Sequence, residues 1–282
     1  MRIIADSTCH LTVEEARQND VIIVASQIMY QNKTYRDYLD IDSASFLKLL
    51  ETDFATTSQP AVGEIMEAYQ QTAPEPTIHI TTGQGLSSAY DSACGVKNSV
   101  QAEHVTVVDS QSLAGTARYL AMLAIKLNKL NIQKDEIVER LRACLKETQA
   151  YVIPVDFKFL QRSGRLTTAA ALLGGFLKLK PVMAQSNDRL KIDKFAMSRT
   201  WHGAIKSIVD DLIKRKVDFK HKIYVLDAFN SESAAYAIEE IKKAIKDADI
   251  ESFLLAPSMI THGGPGCLVI QYVLKDQTYD MP

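Results

Sequence analysis

Thr77-Ile78-His79-Ile80-Thr81-Thr82-Gly83-Gln84-Gly85-Leu86-Ser87-Ser88 is the stretch that decides the fold. Its first five residues form a short apolar run suited to a buried strand, and the glycines and serines that follow break the run at a turn. Residues 89–99 then carry a helical pattern. The same unit recurs on either side. Residues 2–5 form a strand ending in Asp6, and Thr12-Val13-Glu14-Glu15 opens a helix as a capping box. Residues 105–108 form a strand ending in Asp109-Ser110, before a helix that runs to about residue 130. Strands alternating with helices at this spacing predict a parallel sheet with crossover helices. Ligands of such sheets bind at the carboxyl ends of the strands, and the small polar clusters fall there.

The second half reads differently. A helix is expected over 134–149 and a strand over 151–155, followed by an Ala-, Leu- and Gly-rich stretch over 169–179. That stretch has no clean apolar stripe, so it reads either as a buried core helix or as the wall of a lipid tunnel. Ser186-Asn187-Asp188-Arg189 is a hairpin turn between strands over 180–185 and 190–197. Helices over 200–216 and 231–248 then alternate with strands over 222–226, 252–255 and 267–273. A hairpin beside βαβ elements predicts a mixed sheet. The expected fold class is therefore α/β in two domains, 1–153 with a mainly parallel sheet and 154–282 with a mixed sheet.

The length agrees, since 282 residues at roughly 150 per domain make two. A composition of 46% hydrophobic and 23% charged residues is that of a globular protein and removes support for disordered, collagen-like or coiled-coil readings. With 32 Lys and Arg against 34 Asp and Glu, the formal charge is −2. A nucleic-acid binder carries a basic excess or stripe to neutralise phosphates, so that class is not expected. Cys9, Cys94, Cys144 and Cys267 are too widely spaced for a Cys-x-x-Cys pair, which argues against both a disulfide framework and a zinc site. No segment reaches the roughly 18 apolar residues of a spanning helix, and residues 1–6 run straight into a strand, which makes the cytoplasm the expected location.

Several residues could carry chemistry. Asp6, Asp109 and Asp227 each end a strand, where a carboxylate can act as a base or hold a turn. Ser87 sits at a strand-to-helix turn whose glycines let the backbone approach a ligand, an arrangement suited to an anionic oxygen or to simple helix capping. His262-Gly263-Gly264-Pro265-Gly266 combines an unusual backbone with an imidazole that can donate to a carboxylate. Arg162, Arg165 and Arg199 are candidates for forked recognition of carboxylate or phosphate. His10, His79, His104, His202 and His221 have no usable partner spacing and read as structural or exposed.

Taken in order, six segments resemble the DegV family, the bacterial fatty-acid-binding proteins that serve a fatty acid kinase. They are Ile4-Ala5-Asp6-Ser7-Thr8, Thr57-Ser58-Gln59-Pro60, Gly85-Leu86-Ser87-Ser88-Ala89-Tyr90, Val108-Asp109-Ser110, Phe159-Leu160-Gln161-Arg162-Ser163-Gly164-Arg165 and His262-Gly263-Gly264-Pro265-Gly266. The resemblance implies two α/β domains with an acyl chain in a hydrophobic tunnel. It implies a carboxylate site of Thr57, Ser58, Ser87, Ser88 and His262, with Arg165 and Arg199 as basic contacts for the head group or the kinase. It also implies no catalytic step, no metal and no cofactor. The partners would be a long-chain fatty acid, an ATP-binding kinase subunit that forms the acyl phosphate for phospholipid synthesis, and the membrane in passing. The chain departs from the family pattern at Gly83-Gln84, at Ser88-Ala89 and at Ser163. A rival reading is a hydrolase or phosphatase using Asp6 or Asp109 with Ser87 and His262.

Overall fold

The computed structural model describes residues 1–171 and 179–279. The first half contains β1 (Arg2–Asp6), α1 (Val13–Gln18), β2 (Val21–Val24), β3 (Gln27–Tyr30), β4 (Lys33–Arg36), α2 (Ser43–Leu50) and β5 (Thr56–Ser58). It continues with α3 (Val62–Thr72), β6 (Thr77–Thr81), α4 (Ala89–Ser99), β7 (Val105–Asp109), α5 (Ala114–Lys129) and α6 (Lys134–Cys144). Strands β2-β1-β6-β7 form a sheet that is parallel throughout, as the repeated strand–turn–helix unit predicts. The capping box at Thr12 is present, with Glu15 N donating to Thr12 Oγ1 at 3.0 Å and Thr12 N to Glu15 Oε2 at 2.8 Å. Between β2 and α3 the chain forms a small antiparallel sheet, β4-β3-β5. Thr57 lies on a short strand of this sheet, where it pairs with Ile28 of β3.

The rest of the chain supplies β8 (Thr148–Ile153), α7 (Phe157–Arg162), α8 (Thr168–Ala171), β9 (Lys180–Gln185), β10 (Ile192–Ser198) and α9 (Trp201–Lys214). It closes with β11 (His221–Asp227), α10 (Ser231–Ala244), β12 (Asp249–Leu254), α11 (Pro257–Gly263) and β13 (Leu268–Leu274). These strands form a mixed six-stranded sheet, β10-β9-β8-β13-β11-β12, in which only β11 and β12 run parallel. The hairpin at residues 186–189 joins β9 to β10 as expected. The helix expected over 134–149 stops at Cys144, because Thr148 is already paired with Val273 of β13. The chain therefore enters the second sheet several residues before position 153. Pro154, which has no N–H to give the ladder, follows the last residue of β8. Of the apolar stretch over 169–179, residues 172–178 lie outside the described residues; Ala170 is buried with Leu160, Leu166 and Met183.

Helix α5 joins the halves. Eleven of its sixteen residues are buried, the mark of a helix covered on all sides. Its second residue, Gly115, meets β11 so closely that a Cβ there would lie 2.4 Å from the Tyr224 ring. From β13, Gln271 accepts from Gly115 N at 2.7 Å and donates to Leu113 O at 3.1 Å, which satisfies groups that the helix start leaves open. One hydrophobic cluster consequently runs from Ile3 and Ile80 of the first sheet through Leu120 and Leu123 to Leu226 and Val273 of the second.

Candidate functional site

A cavity opens between the carboxyl ends of the first sheet and one face of the second. Thr8, Thr82 and Ser112, which lie just beyond β1, β6 and β7, line it on one side. Val152 and Val269 line it on the other, as do Ala150 and Gln271; each is a register pair of β8 and β13, so all four share one face. Leu86, Leu113, Leu160, Ile192 and Met259 add apolar surface.

Thr57, Ser58, Ser87, Arg165 and His262 all line this cavity, although 205 positions separate Thr57 from His262. β5 carries Thr57 and the last turn of α11 carries His262; Thr57 Oγ1 lies 2.7 Å from His262 Nε2. His262 does not open a loop, as its glycine-rich sequel suggested, but ends a helix that begins at Pro257. Gly264 closes that helix at φ +79°, and a Cβ there would be 2.7 Å from the Phe159 ring, so the position demands glycine twice over. Burial first, and then the charge of Arg165, pushes His262 down to about 3, so its imidazole is neutral.

Ser87 is placed by the turn that follows β6. Leu86 N and Ser87 N both donate to Gly83 O, at 2.9 and 3.1 Å. Ser87 Oγ accepts from Ala89 N at 3.2 Å, which leaves its hydrogen free to donate. The glycines of this turn serve the protein's own backbone and not a ligand: a Cβ on Gly85 would lie 2.1 Å from Leu190 Cα, and one on Gly83 would meet Ser112 N at 2.6 Å. Arg165 donates from Nε to Leu86 O at 3.1 Å and from Nη1 to Ser163 O, so its guanidinium ties α7 to the Ser87 turn while bordering the cavity. Ser88, the exposed residue before α4, and Arg199, exposed after β10, are not brought to the cavity.

The strand-end aspartates face other groups. Asp6 accepts from Thr82 N at 2.7 Å and Thr82 Oγ1 at 2.9 Å, and His79 Nε2 lies 3.2 Å from its other oxygen. Asp109 accepts from Gln84 N and Gln111 N, and Asp227 from Asn230 N. None of the three lines the cavity. His79, read as structural or exposed, is wholly buried between Asp6 and Tyr69, whose hydroxyl is 2.8 Å from Nδ1. Thr8, Thr82 and Ser258 are cavity residues that sequence reasoning missed as such; Thr82 had a signal, its place between a strand end and Gly83. Among the described residues no group of three or more His, Cys, Asp or Glu side chains could hold a metal ion, and no helix is long and apolar enough to cross a membrane.

A family model described as an uncharacterised protein, DegV family, matches residues 1–275. Protein DegV of Bacillus subtilis (strain 168) is 27% identical over 284 residues, taking in 97% of this chain and 99% of that protein. The crystal structure of DegV, a fatty acid binding protein from Bacillus subtilis, superposes with a TM-score of 0.85 at 27% identity, covering 97% of this chain and 99% of that one. A stearic acid-binding protein from Eubacterium ventriosum ATCC 27560 has the same fold, with a TM-score of 0.84, 20% identity and coverage of 98% of this chain and 99% of that one.

Proposed function

The chain belongs to the DegV family, and on that premise we propose that it is a carrier that buries a long-chain fatty acid and performs no catalytic step of its own. The observation that carries this reading is one apolar cavity bordered by Thr57, Ser87, Arg165 and a neutral His262. The fatty acid binding of the Bacillus subtilis relative supports it. Burial of a 16-carbon chain contributes on the order of 12 kcal/mol at about 0.8 kcal/mol per methylene, before ordering and association costs. A carboxylate at the polar end still needs donors, since an unpaired charge in apolar surroundings is expensive. Ser87 O–H, the Arg165 guanidinium and the Thr57–His262 pair meet that need, with Ser58 beside Thr57 on β5.

We further propose, from the family resemblance, that the bound carboxylate is presented in the cytoplasm to an ATP-binding fatty acid kinase subunit, which forms the acyl phosphate. Arg199, exposed and outside the cavity, suits contact with such a partner better than contact with the acid. Against a hydrolase or phosphatase stand the hydrogen bonds of Asp6 and Asp109 to their own turns, and neither lines the cavity that His262 borders.

Denaturing mass spectrometry of the purified protein tests the carrier reading: a long-chain fatty acid is released, and oleate or palmitate rebinds to stripped protein. Clean protein that binds neither acid refutes it. Ser87→Ala and Thr57→Ala each weaken acid binding by roughly 1.5 to 3 kcal/mol, the worth of a hydrogen bond to a charged group. Unchanged affinity in both variants moves the carboxylate elsewhere. ATP-dependent acyl phosphate formation occurs only with the kinase subunit present, and ester or phosphoester turnover by the isolated protein, lost in His262→Ala, favours the hydrolase instead.

A further inference from the structure

Two buried carboxylates, Asp6 and Asp37, stand behind the polar wall of the cavity without lining it. A carboxylate accepts hydrogen bonds and donates none, so each O–H that reaches one is committed to it. Thr82 directs both its N–H, at 2.7 Å, and its O–H, at 2.9 Å, to Asp6 Oδ2. Thr8 Oγ1 and Thr82 Oγ1 are 2.6 Å apart. With the Thr82 hydrogen on Asp6, the hydrogen between the two threonines has to come from Thr8; the reverse assignment would set the Thr82 oxygen against Asp6 with no proton between them. The hydroxyl of Thr8, a residue that lines the cavity, is therefore left with lone pairs and no hydrogen to offer.

Asp37 treats Ser258 alike. Ser258 N donates to Asp37 Oδ1 at 2.9 Å and Ser258 Oγ to Oδ2 at 2.6 Å, and Ser7 Oγ adds a bond at 3.0 Å. Ser258 borders the same cavity, and its oxygen is likewise left as an acceptor. These acceptors adjoin the donor groups. Ser258 and His262 stand four residues apart on α11 and so share a face. Thr82 runs directly into the turn that folds Ser87 N back onto Gly83 O at 3.1 Å. One side of the polar end thus offers donors, and on the neighbouring side the hydroxyls of Thr8 and Ser258 have only lone pairs left to offer. A plain carboxylate satisfies the first and has no hydrogen for the second.

We propose that Thr8 is a specificity-determining residue that receives a hydroxyl group carried on the acyl chain next to the carboxylate, so that the ligand class is a 2- or 3-hydroxy fatty acid, with Ser258 as the neighbouring acceptor. This rests on the carboxylate-binding reading and deepens it. A water molecule donating to Thr8 is the competing occupant, and it confers no advantage on a hydroxylated ligand.

Calorimetric titration of the stripped full chain with palmitic, 2-hydroxypalmitic and 3-hydroxypalmitic acids separates these outcomes, read as the ratio of affinities within each protein. In the native sequence one hydroxy acid binds about fivefold tighter than palmitic acid or better, the worth of one net hydrogen bond. Thr8→Val, which keeps the side-chain shape and removes the acceptor, brings that ratio to about one, and Thr8→Ser retains it. The proposal is overturned if neither hydroxy acid outbinds palmitic acid in the native sequence, or if the preference survives in Thr8→Val. If none of the three acids binds, the carrier reading falls and this proposal with it; binding of all three without preference removes the hydroxyl subsite alone.

Discussion

His10 and His262 show how burial sets the chemistry of a side chain. His10 lies against Phe253, with ring centroids 4.4 Å apart, and burial foremost, with the Arg118 charge beside it, lowers its pKa to about 4. A folded-state value below the unfolded one near 6.5 means that the folded chain binds fewer protons between those limits, so stability rises with pH across them. The contribution is complete above about pH 6.5 and disappears as pH falls toward 4, and its size is on the order of 3 kcal/mol. His262, lowered to about 3, acts in the same direction. Denaturant titrations between pH 7 and 4 should therefore give a falling unfolding free energy, and a flatter fall in His10→Asn, whose side chain tolerates the φ of +56° at this site. Parallel curves for the two proteins would remove His10 as a source of the slope. A neutral His262 also suits the site, because it shares a hydrogen bond with Thr57 without adding a charge to a mostly apolar cavity.

At the scale of elements, α5 and α11 decide what the sheets can do. α5 packs on β6 from the first sheet and on β11 and β13 from the second, and Gly115 is what lets it come so close. Gly115→Ala places a methyl group 2.4 Å from the Tyr224 ring. The overpacking costs about 1 to 3 kcal/mol, more than the helix preference of alanine returns. A lower denaturant midpoint is the expected result, and an unchanged or higher one would contradict the close approach. α11 is short, but Asp37 grips its first turn through Ser258, and Gly264 ends it against Phe159. Held at both ends, it delivers Met259 and His262 to the cavity.

Among the described residues the two large sheets share their most extensive hydrophobic cluster, the one containing α5, which is continuous from Ile3 to Val273, while a second cluster lies among β8, β11, α9 and α10. Calorimetry should accordingly record a single unfolding transition, with the calorimetric and van't Hoff enthalpies equal; two resolved transitions would mean that the halves unfold independently. Much of this architecture was legible in the chain. The strand–turn–helix unit around residues 77–99, the capping box at Thr12 and the hairpin at residues 186–189 rest on local periodicity and turn chemistry, which act within a few residues and leave their mark in order along the sequence. Thr57, Ser87, Arg165 and His262 were legible as motifs. Their assembly was not, since the 2.7 Å contact between Thr57 and His262 depends on β5 joining β3 and on α11 being clamped to Asp37. The end of α6 at Cys144 was hidden for the same reason: pairing of Thr148 with Val273 overrides a local helical pattern. Local periodicity and turn chemistry were enough for the fold class, the repeated strand–turn–helix units and the residue types available for binding an anion. Which hydroxyls keep a hydrogen to donate was settled by the packed chain, because a hydroxyl's direction is set by whichever buried carboxylate lies within 3 Å of it, and Asp6 and Asp37 reach Thr82 and Ser258 across 76 and 221 positions of chain.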